Sequence, residues 1–298
     1  MNTISIHNVE LCYTVLGENN PESIVLLPGL GSQLIRWDEA FCQLLIQKGF
    51  QVIRLDNRDS GASVFKPDHH NDYGNTLEMA FEEVKRVRHP YSLQDMAADV
   101  IALLDHLKID KAHIAGRSMG GIIGQLLGAN YPERVRSLTI IMATSLNPNL
   151  PPVAPDVMAM MTKPVVDASI DHEAYITHAL TFAKRIAGTA FPLDEEQERK
   201  MIEAELKRSQ PGNSVLRQLL AMGSWSYQEA ILNKIMVPTQ IIHGTEDPIF
   251  HPECAKDLAR SIPDAKLQLI NGMGHAIPPE CYTGVTELIV ANTKRQKK

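Results

Sequence analysis

Lys111-Ala112-His113-Ile114-Ala115-Gly116-Arg117-Ser118-Met119-Gly120-Gly121-Ile122-Ile123-Gly124-Gln125-Leu126-Leu127 decides the fold. Its first six residues read as a short buried strand and its last seven as the start of a packed helix. Between them lies G-x-S-x-G, a pattern that on its own recurs by chance and is weak. Between an apolar strand and an apolar helix it acquires a physical meaning. The turn is so sharp that its flanking positions tolerate almost no side chain, hence Gly116 and Gly120. Such a turn lifts the Ser118 hydroxyl above the sheet edge. It also leaves the Met119 N–H free at the positive end of a helix, where a developing oxyanion is stabilised. The bland alternative is a tight strand–helix turn that happens to contain serine.

A bare serine is a poor nucleophile, so the reading requires a base and an orienting acid elsewhere. In the strand–turn–helix version of this chemistry they follow in the order Ser, acid, His. Val237 to Gly244 reads as a strand with a terminating glycine, followed by Thr245-Glu246-Asp247-Pro248. Lys266 to Ile270 is another strand, followed by Asn271-Gly272-Met273-Gly274-His275-Ala276. Each candidate lies just past the carboxyl end of a strand, the edge where open α/β sheets place their ligands. Asp247 is the better acid because the following Pro248 stiffens the backbone there; Glu246, one residue earlier, is the alternative.

Most of the 11 histidines have other readings. His69 and His70 lie in a polar loop, His106 on a helix, and His172 and His178 in a helical insertion, while His243 packs or hydrogen-bonds at a strand end. His69, His70 and Asp72 could chelate a metal on paper, but a surface loop is the commoner use of such residues. His275 alone is flanked by glycine at a strand terminus in the chain order a triad requires. A second oxyanion donor is offered by Pro28-Gly29-Leu30-Gly31-Ser32, a turn that ends the apolar run Ile24 to Leu27. By position Leu30 is the choice, its amide joining that of Met119; tyrosine or arginine donors are alternatives. An ordinary strand-ending turn is the commoner use of Pro-Gly, so the case for Leu30 comes from its partnership with Ser118.

Together these residues resemble the α/β-hydrolase superfamily, and within it the aclacinomycin methylesterase-like members. The resemblance is carried by Pro28 to Gly31, Asp56-Asn57-Arg58-Asp59-Ser60-Gly61-Ala62-Ser63, Gly116 to Gly121, Asp247-Pro248 and Gly272 to Ala276, and spans about residues 20 to 280. It implies Ser118 as nucleophile, Asp247 as acid, His275 as base, and Leu30 and Met119 as backbone donors. Two positions depart from the pattern. Asp59 stands where the wider superfamily usually carries glycine, which reads as a subgroup marker. Leu30 is bulkier than the glycine of some relatives, which narrows the expected mouth of the site.

The rest of the chain fits one α/β body with an insertion. Its 298 residues can bury a substantial core, and the hydrophobic fraction of 44% is ordinary. A net charge of −6 gives no basic footprint for nucleic acid, and the basic tail Thr293 to Lys298 is short and terminal. Cys12, Cys42, Cys254 and Cys281 have no C-x-x-C pairing, as expected of reduced thiols in a cytoplasmic protein. The N-terminus lacks a signal-peptide pattern, and no apolar stretch is long enough to cross a bilayer. Residues 2–16 predict a hairpin of two edge strands. Strands at 24–28, 51–56 and 136–142 and helices near 37–48 and 92–107 then alternate, with Ser92 as N-cap of the second helix. Residues 64–90 read as a long polar loop. Such alternation argues for a mostly parallel, doubly wound sheet.

Residues 146–235 break the rhythm with four prolines and then helical patterns near 156–163, 171–186, 194–208 and 213–222. They read as a helical cap inserted into a core of residues 1–145 and 236–298, above the edge where Ser118 stands. Met158, Met160, Met161, Phe182, Phe191, Met222 and Trp225 could line an apolar pocket there, although apolar residues at helical spacing usually pack a core. The expected chemistry is hydrolysis of a small-molecule carboxylic ester through an acyl-enzyme, with no metal or organic cofactor, no nucleic acid and no membrane. The same triad serves cofactor-free perhydrolysis, amide cleavage and carbon–carbon bond hydrolysis. A non-catalytic ligand receptor on the same scaffold is the alternative of another class.

Overall fold

Strands of nearly continuous apolar sequence are stable only when covered on both faces, and that requirement organises this chain. The computed structural model describes residues 1–66, 90–163, 165–210 and 214–295. Among them the strands are β1 (Asn2–Ile6), β2 (Val9–Leu16), β3 (Glu22–Leu27), β4 (Phe50–Leu55), β5 (Val64–Phe65), β6 (Ala112–Arg117), β7 (Val135–Ile141), β8 (Thr239–Gly244) and β9 (Lys266–Ile270). They form one sheet in the order β1-β2-β4-β3-β6-β7-β8-β9, with β5 against β2. From β4 through β9 every neighbouring pair is parallel, and only the pairs made by β2 are antiparallel.

The described helices are α1 (Glu39–Gln47), α2 (Leu93–His106), α3 (Met119–Asn130), α4 (Pro155–Thr162), α5 (His172–Ile186), α6 (Glu195–Arg208), α7 (Val215–Gly223), α8 (Glu229–Leu232), α9 (Pro252–Ser261) and α10 (Tyr282–Thr293). Side chains alternate faces along a strand, and β3 displays the consequence. Val25 and Leu27 pack into a cluster with Met96 and Val100 of α2 and Ile123 and Leu126 of α3. Ile24 and Leu26 pack into a second cluster with Phe41 and Leu45 of α1 and Val285 and Ile289 of α10. The sheet is therefore wound on both faces. At the start of α2, the Ser92 side chain accepts from the Asp95 N–H while the Asp95 carboxylate accepts from the Ser92 N–H, a capping box that fixes where the helix begins.

Three expectations need correction or limit. Only β1 is an edge strand of the predicted hairpin, because β2 also pairs with β4 from Tyr13 opposite Leu55 to Leu16 opposite Val52. The loop predicted over 64–90 begins with β5, whose Val64 and Phe65 pair with Glu10 and Val9; residues 67–89, with His69, His70 and Asp72, lie outside the described residues. Helices α8, α9 and α10 add to the elements expected from the sequence. The helical segment between β7 and β8 comprises α4 to α8. Of its apolar residues, Met222 and Trp225 pack against the first cluster and Phe191 against the second, whereas Met158 is exposed.

All four cysteines are buried and free. Burial pushes the Cys12 and Cys254 thiols up to about 11 and that of Cys42 to about 12, so these groups are poor nucleophiles near neutral pH. Among the described residues no helix is long and apolar enough to cross a membrane, and no group of three His, Cys, Asp or Glu is placed to hold a metal ion.

Candidate active site

The strand–turn–helix at 111–127 forms as the sequence requires. β6 ends at Arg117, α3 begins at Met119, and Ser118 between them has φ 53° and ψ −124°, a conformation that L-residues rarely adopt. Neighbouring main chain forces the turn to be glycine-rich. A Cβ on Gly116 would stand 2.1 Å from the Gly120 carbonyl oxygen, and one on Gly120 would stand 2.4 Å from that of Leu27. The Ser118 N–H donates to Ile141 O at 2.9 Å, tying the strained residue to the end of β7.

The turn after β3 lies directly against this serine. A Cβ on Gly29 would come within 3.1 Å of Ser118 Cβ and 3.6 Å of its Oγ. Ser32 N donates to Gly29 O, closing a tight turn around Leu30 and Gly31. Among the described residues neither Leu30 N nor Met119 N makes a hydrogen bond to a backbone or side-chain acceptor.

The segment from Asp56 to Ser63 is the brace behind that turn. Asp56 accepts from Leu34 N at 2.6 Å and from Ala62 N at 2.9 Å. Asn57 Nδ2 donates to Pro28 O, and Ser60 Oγ donates to Ser32 O at 2.7 Å. Arg58 forms a buried two-point pair with Asp99. Asp59 has φ 62°, which accounts for the glycine usual at this position, yet here its buried carboxylate accepts two bonds from Arg217 of α7 and one from Tyr91 Oη. The departure from glycine is thus a side chain in use.

The loops after β8 and β9 bring Asp247 and His275 together. His275 Nδ1 stands 2.7 Å from Asp247 Oδ2. The carboxylate oxygen accepts this bond from the Nδ1 side of the ring, which leaves Nε2 on the side away from Asp247. Asp247 Oδ1 accepts from Ile249 N and Phe250 N, both at 2.9 Å. His243, fully buried, lies 3.3 Å from Asp247 Oδ2 through its Nε2, which also donates to Phe250 O at 2.7 Å. Burial lowers the His243 pKa against the opposing pull of Asp247. The structure makes no hydrogen bond from Ser118 Oγ to the His275 ring.

Glu246 points elsewhere. Its carboxylate accepts from Thr189 N at 2.7 Å and from Thr189 Oγ1 at 2.8 Å. Thr189 belongs to a strap, residues 186–190, that follows α5 and lies along the histidine loop. Gly274 N donates to Ala187 O at 2.9 Å, His275 N to Ile186 O at 2.6 Å, and Ala190 N to Gly272 O at 3.3 Å. The strap was invisible in the sequence, since its contacts with the histidine loop use main-chain groups. Arg117, at the elbow, stacks over Trp37, and burial together with neighbouring Arg36 lowers its guanidinium to about 10.

A serine on a strained turn, a glycine turn packed against it and a histidine–carboxylate pair past the carboxyl ends of β8 and β9 are the geometry on which comparison with known proteins bears. The model of the alpha/beta hydrolase fold family matches residues 22–280. The chain belongs to this family. It is similar to the rhodomycin D methylesterase of Streptomyces peucetius, 27% identical with 94% of this chain and 93% of that protein covered. It is also similar to 3-oxoadipate enol-lactonase 2 of Acinetobacter baylyi, 24% identical over 97% and 96%. Among solved structures, the meta-cleavage product hydrolase of Pseudomonas fluorescens superposes with a TM-score of 0.72 at 20% identity, covering 98% of this chain and 97% of that one. That likeness speaks to the fold.

Proposed function

We propose that this α/β hydrolase is a serine hydrolase that cleaves a carboxylic ester of a largely apolar small molecule through an acyl-enzyme. The observation that carries the reading is the 2.7 Å bond from His275 to Asp247, formed on the sheet edge where Ser118 occupies its strained turn. His275 Nε2 takes the proton of Ser118 Oγ as the oxygen attacks the ester carbonyl. Asp247 fixes the ring tautomer and offsets the positive charge that forms on it. The Leu30 and Met119 amides receive the oxyanion, and each such donor is typically worth about 3 kcal/mol of barrier. His275 then returns the proton to the leaving alkoxide, releasing the alcohol. Water repeats the sequence on the acyl-enzyme, giving the acid and restoring the serine.

An ester is favoured over the other bonds this triad can break because the relatives include a methylesterase and an enol-lactonase, which by name act on an ester and a lactone. In this reading residues 146–235 are a cap on a core of residues 1–145 and 236–298. The strap at 186–190 supports this, since it lies against the loop that carries His275. A cap excludes water from the reacting atoms and shapes the pocket.

Ser118→Ala tests the reading. Hydrolysis of p-nitrophenyl butyrate is expected to fall by at least about a thousandfold, with circular dichroism and melting temperature unchanged. Turnover near the wild-type rate in the folded variant contradicts it.

A further inference from the structure

The Gly29–Ser32 turn has a partner on the inserted helices. Gln218, on α7, is 0% exposed although polar. Its Oε1 accepts from Gly31 N at 2.7 Å, and its Nε2 donates to Arg58 O at 2.6 Å. One side chain therefore bridges the turn after β3 to its brace, and both bonds are buried or partly so, where a misplaced polar group is costly. Arg217, the residue before it, is locked to Asp59 within the same brace. Val215, at the start of the helix, packs against Gly31, where an added Cβ would lie 3.0 Å from Val215 Cγ2. Gly31 N is the amide next to Leu30 N. Only the φ and ψ of Leu30 separate the two peptide planes, and the bond from Ser32 N to Gly29 O closes the turn around them, so anchoring Gly31 N restricts where the Leu30 N–H can point.

We propose that Gln218 is a positioning residue for the oxyanion site: through Gly31 it aims the Leu30 amide at the oxygen that becomes negative in the transition state. The inference rests on the reading of Leu30 and Met119 as the oxyanion donors. A donor aimed at the transition state loses effect steeply when displaced, because its value depends on preorganisation. The geometry also gives Asp59 a purpose. Its pair with Arg217 holds α7 in the register that presents Gln218 to the turn. The cap in this view supplies part of the catalytic framework as well as the walls of the pocket.

Three substitutions and a transition-state analogue test the proposal. Gln218→Met keeps the volume and removes both polar bonds. Gln218→Asn keeps the amide but is one methylene too short to reach Gly31 N. Each is expected to lower kcat on p-nitrophenyl butyrate by about 10- to 30-fold, a fraction of what outright loss of an oxyanion donor costs, with KM within twofold of wild type. Affinity for an alkyl trifluoromethyl ketone, whose adduct carries the oxyanion, is expected to fall by the same factor as kcat/KM. Gln218→Glu retains an acceptor for Gly31 N but sets a second acceptor against Arg58 O, and is expected to lower kcat as the other two variants do. If Gln218→Met does not fold, Gln218→Asn carries the test. Unchanged kcat and ketone affinity in a folded Met or Asn variant overturns the inference, as does a loss confined to KM. A wild-type protein that neither hydrolyses the ester nor binds the ketone overturns the Ser118 reading itself, and this inference with it.

Discussion

Asp247 receives donors on both carboxylate oxygens: two backbone amides on Oδ1, and His275 with the buried His243 ring close by on Oδ2. A group so held cannot swing to another partner without stranding buried donors. Glu246, its neighbour, spends its carboxylate on Thr189. The two adjacent acids, which the sequence alone left as alternatives, therefore separate by geometry into one that faces the histidine and one that tethers the strap. Asp247→Asn is expected to lower kcat by about a thousandfold or more, because the amide presents a donor where the histidine N–H needs an acceptor. Glu246→Gln, which keeps one acceptor oxygen for Thr189, is expected to stay within about threefold of wild type. Steady-state rates on one ester check both, and the reverse ranking contradicts the assignment. Gln218 had no comparable signal. Val215 to Gly223 reads as an ordinary packed helix, and the partners of Gln218 are main-chain groups 160 and 187 positions away.

At the scale of elements, legibility followed the range of the interactions involved. The turn at 116–120, the Ser92-capped helix and four of the helices between β7 and β8 are specified by neighbours in sequence, and they form close to where the periodicity puts them. The second neighbour of β2 and the pairing of β5 depend on strands brought in from a distance, and local pattern holds no trace of them. Element β6 also carries a titration that can be measured. His113 Nδ1 bonds to Ser137 Oγ at 2.8 Å inside the sheet. Burial, with a smaller contribution from Arg136 against the opposing pull of Glu22, lowers its pKa from 6.5 to about 4. The unfolded chain accepts a proton near pH 6.5 that the folded chain refuses until about pH 4. The stability associated with the neutral ring is therefore complete above pH 6.5 and is lost progressively as pH falls towards 4. Urea midpoints measured from pH 7.5 to 4.5 should fall more steeply for the wild type than for His113→Gln. Parallel profiles would show that the ring does not resist protonation.

Across the whole molecule, charge pairs join the inserted helices to the sheet. Arg36 holds Glu198 and Glu205 of α6, Arg208 reaches Asp56, and Arg217 reaches Asp59. These pairs are partly or fully shielded, so each partner depends on the other more than exposed pairs do. The pairs of Arg208 and Arg217 end on the Asp56–Ser63 brace, which through Asn57 and Ser60 also holds the turn beside Ser118. The motif legible in the sequence as a family marker is in the structure the place where helices between β7 and β8 are tied to the loop after β4. What the sequence left open is substrate identity, since that depends on the three-dimensional shape of the site and not on any residue pattern. The central claim concerns Ser118 and is accessible without the substrate. A fluorophosphonate probe reacts with serines activated by a neighbouring base. Incubation followed by peptide mass spectrometry should find a single adduct, on the peptide containing Ser118, that is absent from Ser118→Ala. No adduct on the folded wild-type protein, or an adduct that persists at another serine in the variant, would contradict the account.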